Sequence, residues 1–260
     1  MNAGFHTKID ERQVATLTLA RAELHNAFDD ALIVALTAEI ARLGAMPELR
    51  AIVLAAEGKS FSAGADLNWM KRMAAYDEAA NLKDAAALAE LMRVLDTCPK
   101  PTIACVQGPA YGGGVGLVAC CDMAVCVPSA SFCLSEVKLG IIPAVISPYV
   151  VRAIGPRAAR RYFLTAEVFD AAEAQRLGLI HVIDENLQAA VEALLVKLRA
   201  AGPVAVAETK ALIARVESGP VDEAMIADTA ARIARIRVSP EGREGIGAFL
   251  AKRKPGWASS

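Results

Sequence analysis

Gln107-Gly108-Pro109-Ala110-Tyr111-Gly112-Gly113-Gly114-Val115-Gly116 follows a short apolar run, Thr102 to Gln107, and precedes a helical run, Val115 to Cys121. A strand feeding a glycine-rich loop that opens a helix belongs to α/β proteins, where parallel strands are joined by crossovers. Three consecutive glycines point to close backbone packing or to contact with an anion. The loop is not a dinucleotide fingerprint, because a G-x-G-x-x-G frame begun at Gly112 meets Leu117 at its last position. No Walker-type lysine follows it.

An upstream segment has the same form. Ala51 to Ala55 is a short buried strand, and Phe61-Ser62-Ala63-Gly64-Ala65-Asp66-Leu67 is a loop leading into a helix at Leu67 to Met73. N–H groups at a helix start lack intrahelical partners and carry partial positive charge. Read alone, this is a plain strand-to-helix turn capped by Asp66. Read with the second loop, it supplies one of two backbone donors that converge on a single carbonyl oxygen, an oxyanion hole.

Glu136 lies in Phe132-Cys133-Leu134-Ser135-Glu136-Val137-Lys138-Leu139-Gly140-Ile141-Ile142-Pro143. Apolar neighbours predict a partly desolvated carboxyl with a raised pKa, suited to acid–base work; the alternative is an exposed strand-end Glu paired with Lys138. His6, His25 and His181 form no metal-ligand pattern, and no G-x-S-x-G elbow is present.

Outward from these loops, Val14 to Leu19 alternates as a strand. Asp29 to Leu43 carries apolar residues at helical spacing, with Asn26 or Asp29 as its cap. Asp84 to Leu95 is helical and Met123 to Val127 is a strand. From about Leu187 onward the pattern is all helical: Ala189 to Ala200, Val204 to Val216 and Val221 to Val238, broken at Gly202-Pro203 and Gly219-Pro220. The expected division is a core over residues 1–195 and a helical region over 196–260.

The chain has 260 residues, a net charge of -1 and 55% hydrophobic residues, enough for a large core. That charge balance argues against nucleic-acid binding. No apolar stretch long enough for a membrane span and no signal-peptide core is visible, so the expected location is cytoplasmic. Six cysteines (Cys98, Cys105, Cys120, Cys121, Cys126, Cys133) include no C-x-x-C pair and read as small core residues.

These pieces, taken in order, resemble the enoyl-CoA hydratase/isomerase (crotonase) family over nearly the whole chain. The matching residues include Leu19 to Phe28 with Arg21, Glu23, Asn26 and Ala27, both glycine loops, Cys121-Asp122, Leu164-Thr165, Ala171 to Leu179, and Phe249 to Lys254. The resemblance implies a crotonase-like spiral of ββα repeats followed by a C-terminal helical trimerisation region, giving a homotrimer or hexamer. It also implies an acyl-CoA thioester substrate held by the N–H groups of Ala65 and Gly113. Ala63, Asp66, Leu67, Gly112 and Gly116 would lie around the substrate, with Phe249 and Lys252 contributing to a CoA site, that of a neighbouring subunit included. No metal and no cofactor beyond the substrate's own CoA is implied.

Family hydratases hold the attacking water between two glutamates. Glu136 matches the second, and the first falls at Gly116, where the expectation is that an ordered water or a bound anion fills the vacant space. A single glutamate suits a Δ3-Δ2 enoyl-CoA isomerase. Against that, Ala65 to Met73 and Phe132 to Val151 are most similar to bacterial methylglutaconyl-CoA hydratases of leucine breakdown, which favours hydration, with Lys71, Arg72 and Lys138 as candidates for a distal carboxylate. A non-catalytic acyl-CoA-binding homologue is the third reading.

Overall fold

The computed structural model describes residues 4–217 and 219–258. Its main sheet has six strands in the order β1-β2-β3-β4-β6-β9: β1 (Phe5–Ile9), β2 (Val14–Leu19), β3 (Ala51–Ala56), β4 (Thr102–Val106), β6 (Met123–Cys126) and β9 (Val182–Ile183). Only β1 runs antiparallel, against β2; the remaining pairs are parallel. Both faces are covered, as a parallel sheet requires. Alternation along β3 sends Ile52 and Leu54 into the main core and Ala51 and Val53 into a second cluster under α7 (Leu187–Ala200).

A second, shorter wall runs beside the sheet. After β2 the chain pairs Phe28 in parallel with Ala65; after β3, Ser62 pairs with Ala110. After β4, β5 (Ala110–Tyr111) pairs in parallel with β7 (Ser131–Cys133), which is followed by β8 (Phe169–Asp170). Each turn is therefore a sheet strand, a short second strand and a helix. The helices that close these turns are α1 (Asp30–Gly44), α2 (Leu67–Met73) with α3 (Glu78–Asp96), α4 (Gly113–Cys120), and α5 (Ser147–Thr165) with α6 (Ala171–Leu177). This is the expected spiral of ββα repeats.

Local chemistry starts the helices. Asp29, not Asn26, caps α1 by accepting from the Leu32 N–H at 2.8 Å. Asp66, Asp77 and Asp170 cap α2, α3 and α6 in the same way. Along α1, Leu32, Leu36, Ile40 and Leu43 form the buried face.

The C-terminal helices are α8 (Pro203–Glu217), α9 (Glu223–Val238) and α10 (Pro240–Leu250). The division expected at residue 195/196 falls inside α7. Leu195 is buried there against the sheet, so α7 belongs to the core and the helical region begins only after Ala200. No helix among the described residues is long and apolar enough to cross a membrane.

Candidate active site

The parallel bridge between Phe28 and Ala65 sets the first donor. The Phe28 N–H donates to the Gly64 carbonyl and the Asp66 N–H donates to the Phe28 carbonyl, each at 2.7 Å. In such a bridge the paired residue's own N–H points away from its partner strand. The Ala65 N–H therefore faces outward, and no acceptor meets it among the described residues.

The second donor comes from the start of α4. The Gly112 N–H is spent on the Cys133 carbonyl at 2.9 Å, which ties the loop to β7. Gly113 is the first helical residue, so its N–H has no partner within the helix, and none elsewhere among the described residues.

Glycine is required where the two loops touch. Gly64 (φ +90°) and Gly112 (φ +51°) both adopt left-handed conformations. A Cβ on Gly64 would sit 3.2 Å from the Tyr111 carbonyl oxygen and 3.9 Å from the Gly112 Cα. A Cβ on Gly112 would sit 3.2 Å from Glu136 Oε1, so the Glu136 carboxyl lies against the glycine loop.

Glu136 opens a 3-10 turn, Glu136–Leu139, instead of ending a strand. It is half-buried and makes no ion pair with Lys138. Its Oε2 is buried without a hydrogen-bond partner. Burial pushes its pKa above the ordinary carboxylate range, opposed only by its own backbone N–H. A carboxyl with an unsatisfied oxygen, lying against the loop that carries one of two acceptor-free N–H groups, can exchange a proton with a ligand whose own oxygen those groups hold.

The space beside Gly116 is occupied. A Cβ there would fall 2.3 Å from Ile146 Cγ2 and 3.2 Å from Met92 Sδ. This corrects the expectation that a water or anion fills a vacancy: Ile146, just before α5, packs its side chain onto the glycine.

The remaining expected residues divide by exposure. Ala63 and Leu67 are exposed on the rim of the first loop. Asp66 is buried, its carboxylate accepting from the Asn68 and Trp69 N–H groups at 2.8 and 3.1 Å, with Arg21 3.8 Å away. Its side chain is thus held in the helix cap at the start of α2. Phe249, 82% exposed, and Lys252 lie at the end of α10, which packs on α8 and α9. Arg72 is paired with Asp30 at 2.7 Å.

Sequence reasoning missed the frame behind the first loop. Asn26 is fully buried and its side chain makes three hydrogen bonds: from the Arg21 N–H (2.9 Å), and to the Glu57 (2.8 Å) and Ser60 (2.9 Å) carbonyls. Its own carbonyl accepts from Ser62 Oγ at 2.9 Å, and that oxygen accepts from the Gly64 N–H at 3.2 Å. The only signal in the sequence was the run from Leu19 to Phe28. The six cysteines are free and mostly buried, with thiols pushed upward by burial, Cys121 and Cys126 to about 12. No cluster of metal-ligating side chains occurs among the described residues.

Fold and site together define a class: a ββα spiral that presents two unsatisfied backbone donors beside one carboxyl group. The sequence pattern described as Enoyl-CoA hydratase/isomerase matches residues 10–260, and the chain belongs to that family. A crystal structure of an enoyl-CoA hydratase from Shewanella pealeana superposes with a TM-score of 0.95 at 48% identity, covering 98% of this chain and 96% of that one. Enoyl-CoA hydratase AKT6-1 of Alternaria alternata is 36% identical over 92% of this chain and 78% of its own length. The 2,3-dehydroadipyl-CoA hydratase of Escherichia coli is 32% identical over 94% of this chain and 95% of its own.

Proposed function

We propose that the protein adds water across the 2,3-double bond of an enoyl-CoA. The thioester oxygen lies between the N–H groups of Ala65 and Gly113. Glu136 takes a proton from water as its oxygen bonds to C3; the electron pair of the double bond moves onto the thioester as an enolate, which the two donors stabilise. Glu136 then returns the proton to C2, so atoms and charge balance. The observation that carries this reading is the Glu136 carboxyl lying against Gly112 with its Oε2 buried and unpartnered, in a chain whose Ala65 and Gly113 N–H groups meet no acceptor among the described residues. CoA is carried by the substrate, and no other cofactor is needed.

For the acyl group we propose 3-methylglutaconyl-CoA, on the resemblance of residues 65–73 and 132–151. Lys71 and Lys138, for which no acidic partner is seen among the described residues, are the candidate cations for a distal carboxylate. The Escherichia coli relative likewise has a dicarboxylic acyl group in its name. A homotrimer, or a hexamer of paired trimers, formed through the C-terminal helices belongs to the same reading. Support comes from the exposure of Ile226, Val221, Phe249 and Leu250. Ala63 and Leu67 on the loop rim, with Phe249 and Lys252 from a neighbouring copy, would hold CoA.

One observation favours a second reading. Ile146 occupies the space that a side chain at position 116 would need, which leaves Glu136 as the acid–base group on this wall. One carboxylate suffices to move a proton from C2 to C4, converting a 3-enoyl to a 2-enoyl thioester. Mass spectrometry after incubation with 3-methylglutaconyl-CoA separates the two: gain of one water is expected. No gain, together with conversion of a 3-enoyl-CoA to its conjugated isomer, would assign the isomerase instead. Glu136→Gln is expected to abolish turnover while CoA-ester binding persists; a parent protein that binds but turns over neither substrate would be a binding module.

A further inference from the structure

Phe28 touches both halves of the donor pair, though the two lie on different turns of the spiral. Its backbone holds Ala65 through the two 2.7 Å hydrogen bonds of the parallel bridge. Its ring lies against Gly113: a Cβ on that glycine would fall 2.9 Å from Phe28 Cε2 and 3.1 Å from Cδ2. At 1% exposure, the ring is enclosed by core and cannot swing away. One residue of the first turn thus sets the direction of an N–H on the second turn and the seat of an N–H on the third.

We propose that Phe28 is a positioning residue that fixes the spacing of the Ala65 and Gly113 donors; this rests on the thioester reading above. Backbone donors have no rotamers of their own, so only packing against their backbone can tune where they point. Ring and glycine are mutually required, because any side chain at 113 would displace the ring. A displaced ring shifts the start of α4 while the Ala65 bridge stays in place, and the two donors then no longer converge on one oxygen.

The test reads the polarisation of a bound carbonyl, a quantity that a loss of stability alone does not move. Infrared difference spectra are taken of butyryl-CoA, labelled with carbon-13 at the thioester carbonyl, bound to the parent protein, to Phe28→Leu and to Gly113→Ala. The parent is expected to shift the carbonyl stretch to lower frequency. Phe28→Leu is expected to lose at least about half of that shift and to lower kcat about 10- to 100-fold with KM changed little, since misplacement on the ångström scale costs about 10²-fold. Gly113→Ala keeps its N–H and the full ring, so it reports even if Phe28→Leu fails to fold; it is expected to weaken the shift as well. Phe169→Leu removes a comparably buried ring from β8, a strand that β7 separates from the Gly112 loop, and is expected to leave the shift unchanged. A full parental shift in Gly113→Ala or in folded Phe28→Leu would overturn the role of Phe28 alone. No shift in the parent, with binding demonstrated, would overturn both this role and the thioester reading.

Discussion

Glu136 carries the proton in the proposed reaction, and its surroundings set the pH at which it does so. Burial raises its pKa in the folded chain above the ordinary value of about 4.3. Below that ordinary value the carboxyl is protonated in both folded and unfolded chains. As pH rises past it, the unfolded chain ionises first, so folding stability falls until the folded pKa is passed and then levels off. Glu136→Gln should therefore be more stable than the parent at neutral pH, with the difference vanishing near pH 4. Urea unfolding at a series of pH values checks this. The acid limb of kcat should lie above the ordinary Glu range for the same reason. At Gly113, Pro and Ala both add the Cβ that presses on Phe28, but only Pro removes the N–H. Proline is tolerated as the first residue of a helix. The Pro variant is expected to fall about 10²- to 10³-fold below the Ala variant in kcat, the cost of one oxyanion donor.

At the scale of elements, α4 meets the chain entering α5 through the fit of Ile146 on Gly116. Gly116→Ala should cost about 1–3 kcal/mol by overpacking, and Ile146→Ala about 2–5 kcal/mol by leaving a cavity. The double variant should cost clearly less than the sum, because each change relieves the other; denaturant titration of the four proteins measures the coupling. This contact also marks the limit of what sequence can show. Glycine at 116 was legible as a departure from a two-glutamate pattern, but its filler lies thirty positions on and is found only by tertiary packing. The glycine loops, Glu136 and most strands of the spiral were readable, since apolar runs ending in Gly or Asp are local signals. Asn26 read as a candidate cap, whereas it is buried and holds loops from positions 57 and 60, a role set by partners far along the chain. Asp66 was legible as a cap, and the cap is where its carboxylate lies.

For the whole molecule, the all-helical character after Leu187 was legible, but the place where the helices leave the core was not. The apolar stripe of α7 reads the same whether it meets a sheet or another helix. The proposed trimer predicts a sedimentation mass three or six times that of the chain. Charged substitutions at Phe249 and Leu250 should lower that mass and, with it, CoA-ester affinity. Loss of assembly with unchanged affinity would show that each copy holds CoA alone.

The second wall of the spiral, which joins residue 28 to 65, 62 to 110 and 110 to 132, has a consequence for how the molecule matures. Each rung links residues tens of positions apart, so each must wait for a sizeable loop to close. The first turn is made before either donor exists, and the donor pair forms only when the third turn has wound onto it. Helices can assemble locally during synthesis while the chain still lacks a place for a thioester. Competence to bind then waits on the closing of β7 against the Gly112 loop, the contact that seats the second donor.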